Sequence, residues 1–320
     1  METTRLATTE LGSTGLQITR VGFGAWAIGG GDWQFGWGSQ DDAESIAAIH
    51  HALELGINWI DTAAGYGFGR SEAVVGRALQ GLDNRPYVFT KCSLLEGPDR
   101  QVVHNLKRDS IRREAEASLA RLGIDAIDLY QIHWPVPEGD IEEGWSAMHE
   151  LRDDGLVRHI GVSNFSPEQI RQISSIAPVE TVQPQYSLIA RDAEAELLPF
   201  AESEGIGVIV YSPMGSGLLA GKMTRERIAG LPDDDWRKGS PRFNEPQLSD
   251  HLATVDRLVA VADRHGVSAG AVAVAWTLRN PAVDAAIVGL RRADQASELL
   301  AGAALELSDA DVAEVEAGPR

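Results

Sequence analysis

IRREAEASLARLGIDAIDLYQIHWPVPEGDIEEGWSAMHELRDDGLVRHIGVS (residues 111–163) alternates helix, strand, helix and strand. Ile111, Ala115, Leu119 and Leu122 recur at helical spacing, and Gly123 follows as a stop. Ile127–His133 is a strand candidate. Trp145, Met148, His149 and Leu151 make a weaker helical stripe closed by Gly155, and Arg158–Ser163 is the next strand. A strand–helix–strand repeat of this kind specifies a parallel sheet covered by helices.

The same alternation extends in both directions. Further strand candidates are Val21–Trp26, Asn58–Thr62, Tyr87–Lys91, Thr181–Gln183, Val208–Tyr211 and Ala285–Val288. They are short, rich in Val and Ile, and mostly apolar throughout, as strands covered on both faces are. Asp41–Leu55 is a helix candidate with an acidic first turn and a stripe of Ile46, Ile49 and Leu53. Ser166-Pro167 reads as an N-cap with proline at the first helical position, and Leu252, Val255, Leu258, Val259 and Ala262 repeat the helical period. An open sheet and a closed barrel both fit; eight units in 320 residues favour an α/β chain folded as a (β/α)8 TIM barrel. Leu11-Gly-Ser-Thr-Gly-Leu16 is expected to turn an N-terminal β-hairpin. With no break in composition, residues 1–320 are expected to form one domain.

Two segments exceed ordinary loop length: Ile28–Gln40 (IGGGDWQFGWGSQ) and Pro213–Asp250. Loops between barrel elements run ~2–6 residues, so these are expected to be lids or binding loops at the C-terminal mouth. Trp33, Phe35, Trp37, Trp236 and Phe243 argue that they are ordered.

Composition limits the partners. Lys+Arg total 28 against 47 Asp+Glu, a net charge of −19, which repels nucleic acid and anionic membranes. The single cysteine, Cys92, excludes an intrachain disulfide and a CxxC motif, and it reads as a buried strand residue. No metal site is expected. Met1 to Leu11 is polar, and no run approaches the ~18 apolar residues of a membrane span, so the expected location is cytoplasmic. No long coiled-coil pattern occurs, and the expected state is a monomer or weak homo-oligomer.

Catalytic side chains in such a barrel sit at the C-terminal ends of the strands. Those ends supply Asp61, Lys91 and His133, with Tyr66 five residues past Asp61. Each ends a buried run, where a charge is costly without a partner. A tyrosine has an ordinary pKa near ~10. A neighbouring ammonium favours phenolate, and a carboxylate holds that ammonium in place. A shift of ~3 units corresponds to ~4 kcal/mol. A histidine beside them can orient a carbonyl oxygen.

NWIDTAAGYGFGRSEAVVG (58–76), TKC (90–92), IDLYQIHWP (127–135), RHIGVSNFS (158–166), VQPQYSLIAR (182–191) and YSPMGSGLLAGKM (211–223) together resemble the aldo-keto reductases. The resemblance runs from about Leu11 to Leu300, and GFGRSE and GLRRADQ (289–295) are most similar to the bacterial stress-type and sugar-reducing branches. It implies that Tyr66 is the proton donor, that Lys91 and Asp61 lower its pKa, and that His133 orients the substrate carbonyl. One branch of the family has Glu in place of that His and reduces carbon–carbon double bonds; His133 implies carbonyl reduction.

The resemblance also implies a nicotinamide dinucleotide. Ser163, Asn164 and Gln183 would hold its carboxamide, and Tyr211 would stack on its ring. Ser212, Met214, Gly215, Ser216, Gly217 and Leu218 would lie over its pyrophosphate, where backbone N–H groups bind an anion without net charge. Gly289, Arg291 and Gln295 would hold the adenosine end, and the doubled cation Arg291-Arg292 favours NADP(H), with NAD(H) as the alternative. Leu299 departs from the family, where many relatives have Asn.

Trp26, Trp33, Trp37 and Trp134 are expected to shape a pocket for a small carbonyl substrate. Gly22-Phe-Gly24-Ala-Trp-Ala27 satisfies G-x-G-x-x-G/A, but no helix opens at its glycines, so it reads as the first strand and its loop. Two rival functions remain: a Schiff-base lyase with Lys91 as nucleophile, and a nucleotide-binding sensor with little turnover.

Overall fold

A computed structural model describes residues 6–318. The outermost residues of the expected 1–320 domain, and Met1–Arg5 of the polar start, lie outside the described residues. Eight parallel strands close into a barrel: β1 (Val21–Gly24), β2 (Trp59–Asp61), β3 (Tyr87–Cys92), β4 (Ile127–Ile132), β5 (Val157–Ser163), β6 (Thr181–Gln183), β7 (Gly207–Val210) and β8 (Ala285–Gly289). Each pairs with its neighbour in sequence, and β8 closes on β1 with Ala286 opposite Val21 and Gly289 opposite Gly24. This is the (β/α)8 barrel, with strand ends within two residues of those expected.

Helices cover the outside: α1 (Asp42–Glu54), α2 (Arg70–Leu79), α3 (Arg108–Leu122), α4 (Ile141–Asp153), α5 (Pro167–Ser174), α6 (Leu197–Glu204), the short α7 (Arg225–Ala229), α8 (Gln247–His265), α9 (Ala269–Leu278), α10 (Asp294–Ala304) and α11 (Asp309–Val315). Their ends follow local chemistry. The Asp41 carboxylate caps α1 by accepting from the Glu44 N–H. Ser166 and Gln169 form a reciprocal capping box at α5. Gly123 ends α3 in the left-handed region, at φ 66°. Every residue of α9 is buried, which leaves it no amphipathic stripe to read.

The N-terminal hairpin, Thr8–Glu10 with Gln17–Thr19, seals the floor of the barrel. Leu11, Leu16 and Ile18 meet Trp59, Phe89, Leu129 and Ile209 in an inner core. A Cβ on Gly22 would lie 2.1 Å from Trp59 Cε2, so the glycine of β1 makes room for that indole. A second hairpin, Leu94–Glu96 with Val102–His104, follows β3 and was not apparent in the sequence.

Both long loops are ordered at the mouth. Trp37 forms an antiparallel bridge with Asp235, and the Trp236 N–H donates to Gly36 O at 3.0 Å. The 213–250 segment has its own small core of Leu218, Met223, Ile228, Phe243 and Leu248. It acts as a strap fastened to the 28–40 loop.

Candidate active site

Barrel register places the ionisable groups. Asp61 ends β2 and Lys91 lies near the end of β3. His133 follows β4, with its N–H donating to Cys92 O. Beyond β2 the chain stays along β3 through Thr62 N–H to Phe89 O and Ala64 N–H to Lys91 O, which brings Tyr66 over Lys91. Gly67 follows Tyr66 at φ +63°, and a Cβ there would stand 2.2 Å from Gly29 O, so the loop needs glycine at this point.

The three amino protons of Lys91 are all engaged. Nζ donates to Asp61 Oδ1 at 2.6 Å, to Thr62 O at 2.9 Å and to Tyr66 Oη at 3.4 Å. A lysine held this way offers little support for a Schiff-base role, which needs a free amine. Asp61 Oδ2 accepts from Gln183 Nε2 at 3.0 Å, and Gln183 also reaches Gln131 Oε1 at 3.3 Å. The His133 ring meets the Tyr66 ring edge-on at 5.6 Å, and its buried Nδ1 has no partner among the described residues.

Burial dominates the electrostatics. It pushes the Asp61 carboxyl up and the Lys91 ammonium down, and their mutual attraction opposes both shifts. The His133 imidazole is held well below its ordinary value by burial first, then by the Lys91 and His104 charges. Tyr66 corrects an expectation: its pKa is raised, not lowered, by burial first and then by the Asp61 and Tyr211 charges. Asp61 lies against the ammonium that was to favour phenolate and cancels much of its field.

A cavity of about 620 Å³ runs from Asp61 and Tyr66 past Tyr211 and Ser212 to Arg291, Arg292 and Gln295. Its size is that of a small-molecule or cofactor site. Among the described residues, no cluster of His, Cys, Asp and Glu is placed to hold a metal ion.

The family model for the Aldo/keto reductase family matches residues 20–318. The chain belongs to the aldo/keto reductase family. It is 42% identical over 294 residues to aldo-keto reductase YhdN of Bacillus subtilis (strain 168), covering 91% of this chain and 87% of the relative. It is 36% identical over 315 residues to the NADH-specific methylglyoxal reductase of Escherichia coli (strain K12), covering 94% of each. The structure resembles that of the glycerol dehydrogenase AKR11B4 from Gluconobacter oxydans, with TM-score 0.87, 38% identity and 99% of this chain and 95% of that one covered.

Aldo/keto reductases use nicotinamide cofactors, and the residues expected to hold one fall into three groups. Ser163, Asn164 and Gln183 are linked: Ser163 Oγ donates to Gln183 O at 2.8 Å, and Asn164 Nδ2 donates to His133 O at 3.0 Å. Tyr211 Oη donates to Asn164 Oδ1 at 2.8 Å. Tyr211, Ser212, Met214, Ser216 and Gly217 line the cavity, and the Ser212, Met214 and Ser216 N–H groups make no hydrogen bond among the described residues. Gly215 and Leu218 lie outside that lining: their N–H groups close local turns, and the Leu218 side chain is in the strap core.

At the far end, Gly289, Arg291 and Gln295 line the cavity, and Arg291 is also tied to the loop beside it. Its guanidinium donates to Gln40 Oε1 at 2.6 Å, Ser39 O at 2.7 Å and Trp37 O at 3.3 Å. Gln295 Oε1 accepts from the Arg291 and Arg292 N–H groups at 2.8 and 3.0 Å, which ties the turn before α10 to its first turn.

Of the four tryptophans, Trp26 and Trp37 line the cavity. Trp33 is packed with Ala63 beside Tyr66, and Trp134 stands 39% exposed outside the lining. Cys92 is buried, as expected. Gln131 was missed, although it lies two residues before His133 and so shares its face of β4. Arg237, which also lines the cavity, had no local sequence signal.

Proposed function

We propose that this chain reduces an aldehyde or ketone to an alcohol with a nicotinamide dinucleotide bound in the cavity. The observation that carries this is the Asp61–Lys91–Tyr66 chain of contacts, at 2.6 and 3.4 Å, closing one end of a cleft of dinucleotide size. The dinucleotide supplies the hydride. Tyr66, kept protonated by burial, gives its proton to the carbonyl oxygen, and the Lys91 ammonium stabilises the phenolate left behind. Asp61 keeps that ammonium in place. The neutral His133 ring hydrogen-bonds the carbonyl oxygen and orients it. In the reverse direction Tyr66 acts as base, a role that burial disfavours.

We assign NADP(H) as the cofactor, supported by Arg292 at the adenosine end of the cavity; NAD(H) is the alternative. We also infer that the chain acts as one barrel domain, in the cytoplasm, as a monomer or weak homo-oligomer, on a small molecule and not on nucleic acid or membrane. The charge of −19 supports this, and no single described helix is long and apolar enough to cross a membrane.

The test is nucleotide oxidation by the purified protein, with NADPH and NADH each offered aldehydes, ketones and sugars. Turnover with at least one carbonyl is expected. Tight nucleotide binding with no turnover would support the sensor, and borohydride trapping of substrate on Lys91 would support the lyase.

A further inference from the structure

The inward-facing residues of the barrel change character in one step. Trp59, Phe89 and Leu129 belong to the inner apolar core, and two residues further along the same strands stand Asp61, Lys91 and Gln131. Gln183 ends β6 beside them, so four polar side chains meet at one level, all of them buried. Asp61 and Lys91 are an ion pair and hold each other. Gln131, with no exposure at all, has no charge to pair, and a buried amide is costly where its hydrogen bonds go unmade.

We propose that Gln131 is a positioning residue that fixes the amide of Gln183 with its oxygen free for the nicotinamide carboxamide. This rests on the nucleotide reading of the cavity given above. Gln183 Nε2 donates to Asp61 Oδ2 at 3.0 Å and to Gln131 Oε1 at 3.3 Å. An ionised carboxylate only accepts, so Asp61 selects the nitrogen of Gln183, and the second acceptor fixes the plane of the amide. Both N–H groups are then engaged, and Gln183 Oε1 is left over, with no hydrogen bond among the described residues. Its complement is a donor, and the N–H of a carboxamide is one. Ser163 Oγ and the Asn164 N–H donate to the backbone carbonyl of Gln183 at 2.8 and 3.2 Å, so neither occupies that side-chain oxygen.

Gln131 reaches Gln183 across an intervening strand. Its neighbour on β5 is Gly161, where a Cβ would lie 2.0 Å from Thr181 Oγ1, so no side chain of β5 stands between the two amides at this level. On its other side Gln131 is opposite Lys91. Its own Nε2 is buried with no hydrogen-bond partner among the described residues. An apolar side chain of the same volume would fill the place without that orphaned donor, so the amide is explained by what its oxygen does to Gln183. Burial pushes the Asp61 carboxyl up, and Lys91, Gln183 and Gln131 each pull it back. One chain of contacts thus runs from Gln131 through Gln183 and Asp61 to the Lys91 ammonium beneath Tyr66.

The test is equilibrium binding of NADPH and NADH, each against its acetylpyridine analogue, read by quenching of tryptophan fluorescence. The analogue has a methyl group in place of the carboxamide nitrogen, so it keeps the ring and lacks the donor. Gln131→Met keeps the length of the side chain without its oxygen, and Gln131→Leu is a smaller replacement with the same loss. One neutral hydrogen bond is worth a factor of about five. The parent is expected to prefer the carboxamide form of whichever nucleotide it binds, and both variants are expected to lose about that factor of the preference. ADP-ribose, which has no nicotinamide ring, is expected to bind parent and variants alike. A preference unchanged in both variants would overturn the inference. Equal weakening of nucleotide and analogue would also overturn it, because a residue that only packs acts on both, and so would a parent that shows no preference. Failure of the parent to bind either nucleotide would instead overturn the functional reading on which it rests.

Discussion

Asp61, Lys91 and His133 stand at the ends of three adjacent barrel strands, whereas Trp37, Asp235 and Arg237 stand on two loops that meet across the cleft. The first group is placed by strand register. Each member's position follows from backbone pairing that the apolar runs already dictate, and the side chains touch because neighbouring strands end together. The second group is placed by contacts between segments about 200 residues apart in sequence, where neither partner marks the other. The end of the cleft at Asp61 and Lys91 is thus a property of the barrel, and the end toward Arg291 is a property of how its loops close.

Removing the buried cation tests the strand-end group most severely. Lys91→Met strands Asp61, which is buried at the same contact. Breaking a buried pair costs about 3–5 kcal/mol, and losing proton-transfer support lowers rates about 10²- to 10⁴-fold. Urea denaturation and carbonyl turnover should show both losses. Asp61→Asn/Lys91→Met is expected to recover most of the stability and none of the activity. Recovery of activity in the double variant would mean that the pair is structural.

The legibility of the sequence divides along the same line. Asp61, Lys91 and His133 were singled out because each ends an apolar run, and Tyr66 because it lies five residues past Asp61 in a glycine-containing loop. Gln131 was equally legible from the two-residue alternation along β4 and was passed over. The loops gave only partial signals. Their aromatics indicated order, and Trp26 and Trp37 do line the cleft, but nothing local showed that Trp33 packs inward or that Trp134 stays outside the lining. The cations Arg291 and Arg292 were conspicuous in an acidic chain, yet Arg291 serves as a strut to the 37–40 loop. Arg237, with Asp235 two residues away, carries no sequence signal of its place in the cavity wall.

A smaller effect is expected behind the strand ends. Glu114 accepts from the Ser93 N–H at 2.8 Å and from Ser110 Oγ at 3.1 Å, holding Ser93, two residues past Lys91, at φ +79°. Burial raises its carboxyl from 4.5 to about 7, opposed by the hydrogen bonds from Ser93 and Ser110, with smaller contributions from Glu72 upward and Arg121 downward. Between those values the native state binds more protons than the unfolded chain, so this group's contribution to stability falls as pH rises through about 7 and stays low above it. Glu114→Gln keeps an acceptor and removes the charge. It should gain about 1–3 kcal/mol over the parent at pH above ~7, shrinking toward pH ~5, in denaturation measured across that range. A gain independent of pH would show that the carboxylate is not the cause.

The smallest effect is expected at the exposed adenosine end. Arg292 is 58% exposed and already faces Asp294. Solvent screens such a cation, so Arg292→Ala should weaken NADPH only about two- to fivefold and leave NADH unchanged. Fluorescence titration with the two nucleotides checks this, and equal weakening of NADPH and NADH would contradict it.

The division of labour along the cleft is tested most directly by Tyr66→Phe, compared with the parent for nucleotide affinity and for a single turnover of prebound NADPH with a reactive aldehyde. Nucleotide affinity within about twofold of the parent, and transfer slowed about 10²- to 10⁴-fold, is the predicted result. Transfer at the parent's rate would contradict it, because the proton would then come from a group other than Tyr66.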